Sequence, residues 1–597
     1  MFGMRELIAY LAQFEIRPRR AMEVFRAFGP GAMQAIQQNP YLLCGEPLQL
    51  DFRHADSIAQ YYQMAGDCDQ RLEAALLRTL RHNAGNGHTC LPRAQLLATA
   101  ARFIHQPEEK LSQALEQCLA DGQLDQQTFD GTEYIYLPDL LAAEQDIAHR
   151  LSLLVRRGKQ TARSLDKSIQ VLELTQGFAY APRQKDAIRM AMTENCLVLT
   201  GGPGTGKTTT VNAILQLLEQ QAERVALCAP TGRAAKRLSE LTGRKASTIH
   251  RLLEVDYSGG VVRFIHNDKN QLPCDVVILD EMSMVDVKLF QALLTALRYS
   301  CRVIMVGDAD QLPSVGAGNI LGETIRSGLI PTVCLDQIFR QAERSLIVEN
   351  AHNIVDGKPL QKGTRTDDFF FLEADGEAAQ RLVCDLVTTR LPRSYGFDPI
   401  KDIQVLCPTK LGMTGTQALN TELQNLLNPP APGKPQLQSA ARVFRVGDKV
   451  MQVRNNYELV WHRIGGEQGV GAYNGDIGIV ESINLRDRSM VVRMDDRRLV
   501  YPAENLSELE IAYAITVHKS QGSEFPAVIL PAAQVPPRLC YRNLLYTGVT
   551  RARKLCVLAG RRDTVNQMMS NIRQNLRYSG LAALLQAELP PEQLRTE

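Results

Sequence analysis

The sequence lacks a strong charge imbalance, because 67 lysines and arginines face 65 acidic residues in 597, a formal net charge of +2. It also lacks a basic start followed by an apolar segment, and it has no apolar run of about 18 residues. Its 13 cysteines include no Cys-x-x-Cys pair, which argues against a zinc ribbon. We therefore expect a cytoplasmic protein without membrane association. Any nucleic-acid-binding surface would be a local cluster of lysine and arginine.

What the sequence does have is an ordinary globular composition, with 45% apolar and 22% charged residues. Its length predicts several domains. Apolar residues at helical spacing predict helical units over 1–65, and two helices followed by a hairpin at Asp130-Gly131 predict a winged-helix-like module over 66–150. The basic, polar stretch over 156–163 predicts a linker, over 151–175, or an exposed helix end.

From 176 onward, β-like apolar runs alternate with helical patterns, which predicts an α/β fold with parallel sheets covered on both faces. We predict one lobe over 176–345 and a second over 346–597. The four strands predicted for the first lobe are Cys196–Leu199, Val225–Cys228, Val276–Leu279 and Val303–Val306. Short alternating strands separated by turn signals predict a small β-barrel insertion over 436–508.

The motif Gly201-x4-Gly206-Lys207-Thr208 lies between an apolar run and a helical pattern. This context is typical of a phosphate-binding loop, whose backbone N–H groups and helix N-terminus face the phosphates. We predict that Lys207 contacts the β and γ phosphates of ATP and that Thr208 binds Mg²⁺. The other predicted nucleotide-binding residues of this loop are Gly202, Gly204, Thr205, Gly206 and Thr209.

Acidic and amide side chains follow the predicted strands. Asp280 and Glu281 end the run Val276–Leu279, and we predict that Asp280 binds Mg²⁺ while Glu281 deprotonates the attacking water. Gln311, in a Gly-Asp-x-x-Gln-Leu motif, is predicted to sense the γ-phosphate. Gln184 is predicted to read the adenine edge, because its amide both donates and accepts hydrogen bonds.

Phosphoryl transfer also needs cations near the developing negative charge, and in the motifs of the first lobe only Lys207 supplies one. Two arginines of later motifs are candidates: Arg340 in Ile-Phe-Arg-Gln and Arg551 in Thr-Arg-Ala-Arg. We predict that both act as arginine fingers. An arginine delivered by a second lobe makes hydrolysis depend on closure of the two lobes.

Together these motifs resemble those of RecD-like superfamily 1B DNA helicases, in particular the stand-alone branch. The matching stretches are Gly201–Thr210, Ala229–Leu238, Ser247–Leu252, Leu279–Asp286, Gly307–Gly318, Ile338–Gln341, Tyr473–Gly478, Thr516–Phe525 and Tyr546–Arg553. The resemblance implies two RecA-like lobes with an SH3-like barrel insertion. It also implies ATP- and Mg²⁺-dependent 5′-to-3′ translocation and unwinding of DNA in repair or recombination.

The resemblance further implies contacts with single-stranded DNA and with single-strand–duplex junctions, mostly through phosphates and stacked bases. The residues predicted to make them are Thr231, Arg233, Thr248, His250, Thr516, His518 and Ser520, with a core role as the alternative for the two histidines. The segment 254–272 predicts a hairpin turning at Ser258-Gly259-Gly260. In similar helicases such a hairpin separates the strands; a plain surface hairpin is the alternative.

The N-terminal region, over 1–65, resembles the helix-hairpin-helix region of these helicases, without the further N-terminal domain of longer relatives. Glu15-Ile16-Arg17 stands where the family has Gly-Ile-Gly. Side chains there keep the backbone away from a phosphate, so we do not expect duplex binding by this hairpin. The stretch Gly87-His88-Thr89-Cys90-Leu91-Pro92 resembles one shared with RecD proteins, but no role follows from it.

Three other functions are compatible with parts of this pattern. The first is a RecD-type subunit of a larger exonuclease V-like helicase–nuclease assembly; a helical module of its own argues instead for an independent, monomeric protein. A conjugative relaxase fragment is disfavoured, because no His-rich metal triad or tyrosine nucleophile segment precedes the motor. An RNA helicase of the same superfamily is the third.

Overall fold

The computed structural model describes residues 2–157, 165–256, 263–337, 345–361, 363–364, 367–439, 442–463, 465–572 and 577–589. The chain begins with a small helical unit: α1 (Phe2–Ala12), α2 (Pro18–Phe28), α3 (Ala32–Gln38) and α4 (Phe52–Tyr61). Its core includes Leu7, Leu11 and Val24. Glu15 has a positive φ of 61°, so the first turn keeps a left-handed backbone although it carries a side chain.

A winged-helix unit follows, with α5 (Asp69–Gly85), β1 (Cys90–Pro92), α6 (Arg93–Ile104), α7 (Glu108–Ala120), β2 (Asp125–Phe129) and β3 (Thr132–Tyr136). The strands form an antiparallel sheet in the order β1-β3-β2, so the predicted hairpin at Asp130-Gly131 is confirmed. A long helix, α8 (Pro138–Arg156), leads out of this unit.

The linker predicted over 151–175 is helical on both sides of residues 158–164, which themselves lie outside the described residues. Helix α8 continues to Arg156, and α9 (Leu165–Gln176) follows. Apolar residues three apart, Leu151 with Leu154 and Ile169 with Leu172, bury one face of each helix in the core of the next unit. Arg156 is thus an exposed helix end, as the alternative predicts, and the linker prediction is wrong for the residues within α8 and α9.

The first α/β lobe is built on a six-stranded parallel sheet in the order β11-β4-β10-β9-β5-β6. Its elements are α10 (Pro182–Thr193), β4 (Cys196–Gly201), α11 (Lys207–Gln220), β5 (Val225–Ala229), α12 (Gly232–Thr242), β6 (Ala246–Thr248), α13 (Ile249–Leu253), β7 (Val255–Asp256), β8 (Arg263–Phe264), β9 (Val276–Leu279), α14 (Val287–Thr295), β10 (Arg302–Gly307), α15 (Ile320–Ser327) and β11 (Thr332–Leu335). All four predicted strands are confirmed, and apolar clusters cover both faces of the sheet. Strands β7 and β8 pair as a hairpin whose predicted turn lies outside the described residues.

The second lobe starts with α16 (Leu346–Asp356), β12 (Phe369–Glu373), α17 (Gly376–Asp385), α18 (Leu391–Tyr395), β13 (Ile403–Cys407) and α19 (Thr416–Leu427). A β-barrel-like insertion then interrupts it, with β14 (Gln436–Ser439), β15 (Arg442–Arg445), β16 (Lys449–Gln452), β17 (Asn456–Arg463), β18 (Gln468–Ala472), β19 (Ile477–Asn484), β20 (Ser489–Met494), β21 (Arg497–Tyr501) and β22 (Leu509–Ile511). Seven of these strands form one antiparallel sheet around an apolar core that includes Phe444 and Leu499.

The chain returns to the second lobe with β23 (Ala514–Thr516), β24 (Phe525–Ala532), α20 (Arg542–Val549), β25 (Ala552–Gly560) and α21 (Arg562–Ser570). The five strands are parallel in the order β12-β25-β24-β13-β23, again with an apolar cluster on each face. Among the residues that the structure describes, no helix is both long and apolar enough to cross a membrane.

The last helix does not belong to the second lobe, although the range 346–597 was predicted to be one unit. Helix α22 (Leu581–Glu588) packs on α8 and α15, and Leu581 and Leu585 are buried in the core of the first lobe. The return has a physical cause: the apolar face of α22 fills a gap between these two helices that the sheet of the first lobe leaves uncovered. Alternation of strands and helices alone does not reveal this.

Candidate active site

A cavity of about 610 Å³ lies where the first lobe meets the second. Strands β4, β10 and β9 are neighbours in the sheet, so the loops after their carboxyl ends meet at one edge. The lining residues used below are, from the first lobe, Gln184, Gly202, Gly204, Gly206, Lys207, Thr208, Thr209, Arg237, Asp280, Glu281, Asp308 and Gln311, and from the second, Glu524, Thr550 and Arg551. The site therefore contains groups from both lobes.

The loop after β4 has the geometry of a phosphate-binding loop. Gly206 has a φ of 81°, and α11 starts at the next residue, so N–H groups of the first helical turn face the cavity. The Lys207 Nζ donates hydrogen bonds to the carbonyl oxygens of Gly201 and Gly202, the latter at 2.9 Å. The Thr205 hydroxyl donates to the Gly202 carbonyl at 2.9 Å, which holds the loop closed on itself.

The two acidic residues after β9 differ in their surroundings. The Asp280 carboxylate accepts the Glu281 N–H at 2.9 Å. Burial and the neighbouring Glu281 raise the pKa of Asp280 to about 6. Glu281 has a left-handed backbone with φ 53°, which turns the chain sharply between the two carboxylates. A buried carboxylate whose negative charge is only partly offset by hydrogen bonds and nearby cations is suited to bind a metal cation.

A hydrogen-bonded group around Asp308 links the lobes. The Asp308 carboxylate accepts from the Gln311 Nε2 at 3.1 Å and from the Tyr546 hydroxyl of α20 at 2.8 Å. Burial and Asp308 together raise the pKa of Tyr546 well above its ordinary value. The hydroxyl therefore stays protonated and donates a hydrogen bond to Asp308. The Gln311 Oε1 is buried and has no hydrogen-bond partner among the described residues. It is an acceptor placed beside the nucleotide cavity.

The Gln184 side chain is 1% exposed, and both ends of its amide are engaged. Its Oε1 accepts the Ala181 N–H at 3.0 Å, and its Nε2 donates to the Gly206 carbonyl at 3.3 Å. Gln184 thus ties the start of α10 to the phosphate-binding loop. The predicted contact with adenine would require at least one of these hydrogen bonds to be exchanged.

Of the two predicted arginine fingers, Arg551 lines the cavity and Arg340 lies outside the described residues. Arg551 is 3% exposed, and its donors contact its own lobe: Nε the Thr547 carbonyl, Nη1 the Ser523 carbonyl and Nη2 the Thr550 hydroxyl, each at 3.2 Å. These bonds are long for a charged donor, so a phosphate oxygen could compete for them.

Further contacts close the lobes on each other next to the cavity. The Leu312 N–H donates to the Thr547 hydroxyl at 2.9 Å, and the Leu312 carbonyl accepts from the Gln521 Nε2 at 2.8 Å. Arg237 of α12 forms an ion pair with Glu524 of the second lobe. A methyl group added at Gly202 would come within 3.2 Å of the Tyr546 hydroxyl, so the phosphate-binding loop lies directly against the second lobe.

We expect Tyr546→Phe to lower kcat/KM for ATP about tenfold, because it removes the one hydroxyl that reaches Asp308 across the lobes, a bond to a charged acceptor. The ring stays, so the fold should be unchanged. Steady-state hydrolysis with saturating DNA is the measurement. Tyr501→Phe is the matched control, since its buried hydroxyl bonds to Gln452 inside the barrel. Equal kinetics for both variants would contradict a role for the Asp308–Tyr546 bond.

The seven predicted DNA contacts do not form one continuous surface. Three threonines cap short helices instead: Thr231 accepts the Ala234 N–H, Thr248 the Arg251 N–H and Thr516 the Lys519 N–H. Ser520 is fully buried and donates to the Val517 carbonyl at 2.7 Å. Its assignment as a DNA contact is therefore corrected, because no surface of the side chain is available.

Arg233 and Thr248 both line a groove between the first lobe and the barrel. Trp461 and Tyr473 line the same groove. The Arg233 Nη1 donates to the Ser523 hydroxyl at 2.8 Å. The other two predicted residues lie elsewhere. His250 is half-buried beside the Phe264 ring, and His518 lines a separate cavity with His88 and Tyr541.

Sequence reasoning missed three residues at the site. Asp308 stood within the quoted Gly-Asp-x-x-Gln-Leu motif, and Tyr546 begins the motif that ends at Arg553, so both had a signal but no role. His352 of α16 approaches Gly202 closely, as a methyl group added there would lie 3.4 Å from its Cε1. Nothing around His352 in the sequence indicates this contact.

Two parallel-sheet lobes that close on one phosphate-binding loop define a two-lobed motor ATPase of the P-loop class. Comparisons with known proteins agree. Family models match an AAA domain over 184–317, an ATP-dependent RecD-like DNA helicase SH3 domain over 419–494, an ATP-dependent RecD2 DNA helicase HHH domain over 1–90 and a UvrD-like helicase C-terminal domain over 511–559.

A relative from Deinococcus radiodurans, an ATP-dependent RecD2 DNA helicase, is 33% identical over 569 residues, covering 93% of this chain and 74% of the relative. The chain belongs to this RecD2 family and is an ATP-dependent DNA helicase. The RecBCD enzyme subunit RecD of Mycobacterium tuberculosis is 32% identical over 68% of this chain and 73% of that protein. Among solved structures, a Bacteroides Pif1 helicase in complex with ADP-AlF3 and single-stranded DNA is 19% identical, with a TM-score of 0.38, over 65% of this chain and 94% of that one.

Proposed function

We propose that this helicase translocates 5′ to 3′ along single-stranded DNA and that closure of its two lobes on Mg²⁺–ATP drives each step. The observation that carries the proposal is the cavity lined by both lobes, with Lys207 on one side and Arg551 on the other. A nucleotide gripped from both sides changes the distance between the lobes when it is hydrolysed. The 5′-to-3′ direction comes from the family alone.

In this proposal the backbone N–H groups of Gly202, Gly204, Thr205, Gly206 and Thr209 face the phosphates, and Lys207 neutralises the β and γ phosphates. Glu281 deprotonates the attacking water. Gln311 senses the γ-phosphate by orienting that water: its Oε1, which has no partner among the described residues, accepts a hydrogen bond from the water, since its Nε2 already donates to Asp308. Gln184 positions the loop and, after exchange of one hydrogen bond, contacts adenine.

Thr208 and Asp280 would hold the Mg²⁺, which would neutralise charge on the phosphates. Both line the cavity, and the pKa of Asp280 is raised by burial and by the neighbouring Glu281, more than Lys207 and Arg237 lower it, so a bound cation would stabilise the carboxylate. No cluster of three or more metal-binding side chains occurs among the described residues. This agrees with Mg²⁺, which is usually held by one or two carboxylates together with substrate phosphates and water.

The DNA strand is proposed to pass the remaining predicted contacts, which lie in separate parts of the structure. In this proposal Arg233 and Thr248, which line the groove between the first lobe and the barrel, contact phosphates, and His250 and His518 stack on bases. Thr231 and Thr516 would contribute mainly by fixing the helices that they cap. Arg340 would act with Arg551 as the second finger.

Unwinding of duplexes with a single-stranded tail tests the direction. We expect the purified chain with ATP and Mg²⁺ to separate a duplex carrying a 5′ tail, with little activity on the same duplex carrying a 3′ tail or blunt ends. A fluorophore–quencher pair on the duplex measures strand separation. The Lys207→Ala chain gives the background. Preferred unwinding from a 3′ tail would refute the proposed direction, and equal stimulation of hydrolysis by RNA would favour an RNA helicase.

The second candidate is a subunit of a larger helicase–nuclease assembly, which the similarity to the mycobacterial RecBCD subunit favours. The similarity to the RecD2 relative extends over 93% of the chain, whereas the subunit matches 68%, and the RecD2 HHH domain model matches residues 1–90. Gel filtration followed by unwinding assays on the monomer fraction separates the two. A chain inactive on its own under every substrate would support the assembly subunit.

A further inference from the structure

Arg577, a half-buried arginine, holds the loop that follows Gln311. The Arg577 Nη1 donates to the Ser314 hydroxyl at 3.1 Å, to the Gly316 carbonyl at 2.9 Å and to the Gly318 carbonyl at 2.7 Å, and its Nη2 donates to the Ser314 carbonyl. Burial lowers the pKa of Arg577 to about 10, yet it stays charged at neutral pH. One guanidinium thus organises the whole loop 313–318.

The N-terminal winged-helix unit completes this arrangement through the stretch that had no assigned role. A methyl group added at Gly87, whose φ is 98°, would come within 2.3 Å of the Arg577 Cζ, so only glycine leaves room for the guanidinium. The Gly87 carbonyl accepts the Gly318 N–H at 2.9 Å. His88 accepts the Tyr578 N–H at 3.1 Å through its Nδ1, and the Thr89 N–H donates to the Tyr578 carbonyl at 2.9 Å.

The loop held in this way connects directly to the ATP site. It starts right after Leu312, whose backbone bonds to Thr547 and Gln521 of the second lobe, and Leu312 follows Gln311 of the nucleotide cavity. Arg577 also lines, together with His88 and His518, the cavity between the winged-helix unit and the second lobe. A displacement of loop 313–318 would therefore change both the nucleotide cavity, which Gln311 lines, and the cavity that contains His518, a predicted DNA contact.

We propose that Arg577, seated in the space left by Gly87, is a positioning residue for ATP hydrolysis: it fixes loop 313–318 so that Gln311 and Leu312 respond together when DNA is bound. The winged-helix unit then contributes to ATP hydrolysis, because its Gly87 leaves the space that the Arg577 guanidinium occupies. The proposal rests on DNA-coupled hydrolysis under the proposed function. If DNA fails to stimulate the parent chain, the proposed function fails before any variant is compared.

Two variants displace the guanidinium by different means: Arg577→Lys removes the planar fork, and Gly87→Ala pushes an intact Arg577 out of its seat. We expect both to lower the kcat of DNA-stimulated hydrolysis about tenfold, with KM for ATP and affinity for a labelled single-stranded oligonucleotide changed less than about twofold. A role in stability alone would lower activity in proportion to unfolded protein and would not alter kcat for the folded fraction.

Two control variants sharpen the comparison. Gly122→Ala places alanine at a φ of 68° with no atom within 4 Å of the new methyl group, so it repeats the backbone strain without touching Arg577. Ser579→Ala loosens the same C-terminal segment at Glu144, where the hydroxyl donates at 2.6 Å. Both should hydrolyse ATP like the parent. Parental kinetics in Arg577→Lys and Gly87→Ala, the same loss in Ser579→Ala, or failure of both test variants to fold would each overturn the proposal.

Discussion

Lys207→Ala should reduce ATP hydrolysis and unwinding by about 10³-fold or more, to the background of the assay. The Lys207 Nζ lies within hydrogen-bonding distance of the Gly202 carbonyl, inside the loop that faces the phosphates. Its removal takes away a cation where negative charge develops on the transferred phosphoryl group. Lys207 does not line the groove that holds Arg233 and Thr248, so binding of single-stranded DNA should stay near the parental level.

The measurement combines steady-state hydrolysis with fluorescence anisotropy of a labelled oligonucleotide. Lys358→Ala is the matched control, because this exposed lysine forms an ion pair with the neighbouring Asp356 on the second lobe. Substantial DNA-stimulated hydrolysis by the Lys207→Ala chain would mean that the loop after β4 is not the catalytic phosphate site. Loss of DNA binding together with hydrolysis would instead point to a disrupted fold, which thermal unfolding of the same sample reveals.

Arg551→Ala is expected to lower turnover about 10³-fold or more with a much smaller loss of ATP affinity. The reason is the position of the Arg551 guanidinium. It lines the cavity, and its three hydrogen bonds of 3.2 Å go to residues of its own lobe. Such a group contributes most when the lobes close and charge builds up on the leaving and transferred groups. ATP affinity, measured with a fluorescent nucleotide, depends chiefly on the phosphate-binding loop.

Arg553→Ala is the control for this variant, because the second arginine of the same motif forms an exposed pair with Glu524. Arg551→Lys retains a charge without the planar fork and should recover only part of the loss. Near-normal turnover in Arg551→Ala would refute its role as a finger. Equal losses in Arg551→Ala and Arg553→Ala would assign the effect to the packing of the motif.

The parts of the site that the sequence predicts well are those encoded by a strand followed at once by its motif. Cys196–Gly201 forms a buried strand and the phosphate-binding loop follows; Val276–Leu279 does the same for Asp280 and Glu281. Local propensity and a short loop fix both the strand and the position of the side chains after it. The hairpin at Asp130-Gly131 was predictable for the same reason.

What the sequence could not predict depends on contacts between distant segments. Tyr546 reaches Asp308 across 238 residues, and Arg577 reaches Ser314 across 263. No local period marks such pairs. The basic residues near 156 suggested a linker, although tertiary packing of Leu151 and Leu154 holds that segment as helix. Ser520 was misjudged because a motif identifies which residues occur together without saying which of them face outward.

The seating of α22 beside α8 and α15 limits how this molecule can be divided. A fragment that stops after α21 would leave uncovered the apolar surface on which Leu581 and Leu585 rest, and the buried Glu144 would lose its bonds to Ser579 and Gly580. Conversely, a fragment that ends at β11 would lack α22, the helix that packs on its α8 and α15. Each half of the chain produced separately should therefore expose apolar surface that only their association covers, through the contact of α22 with α8 and α15.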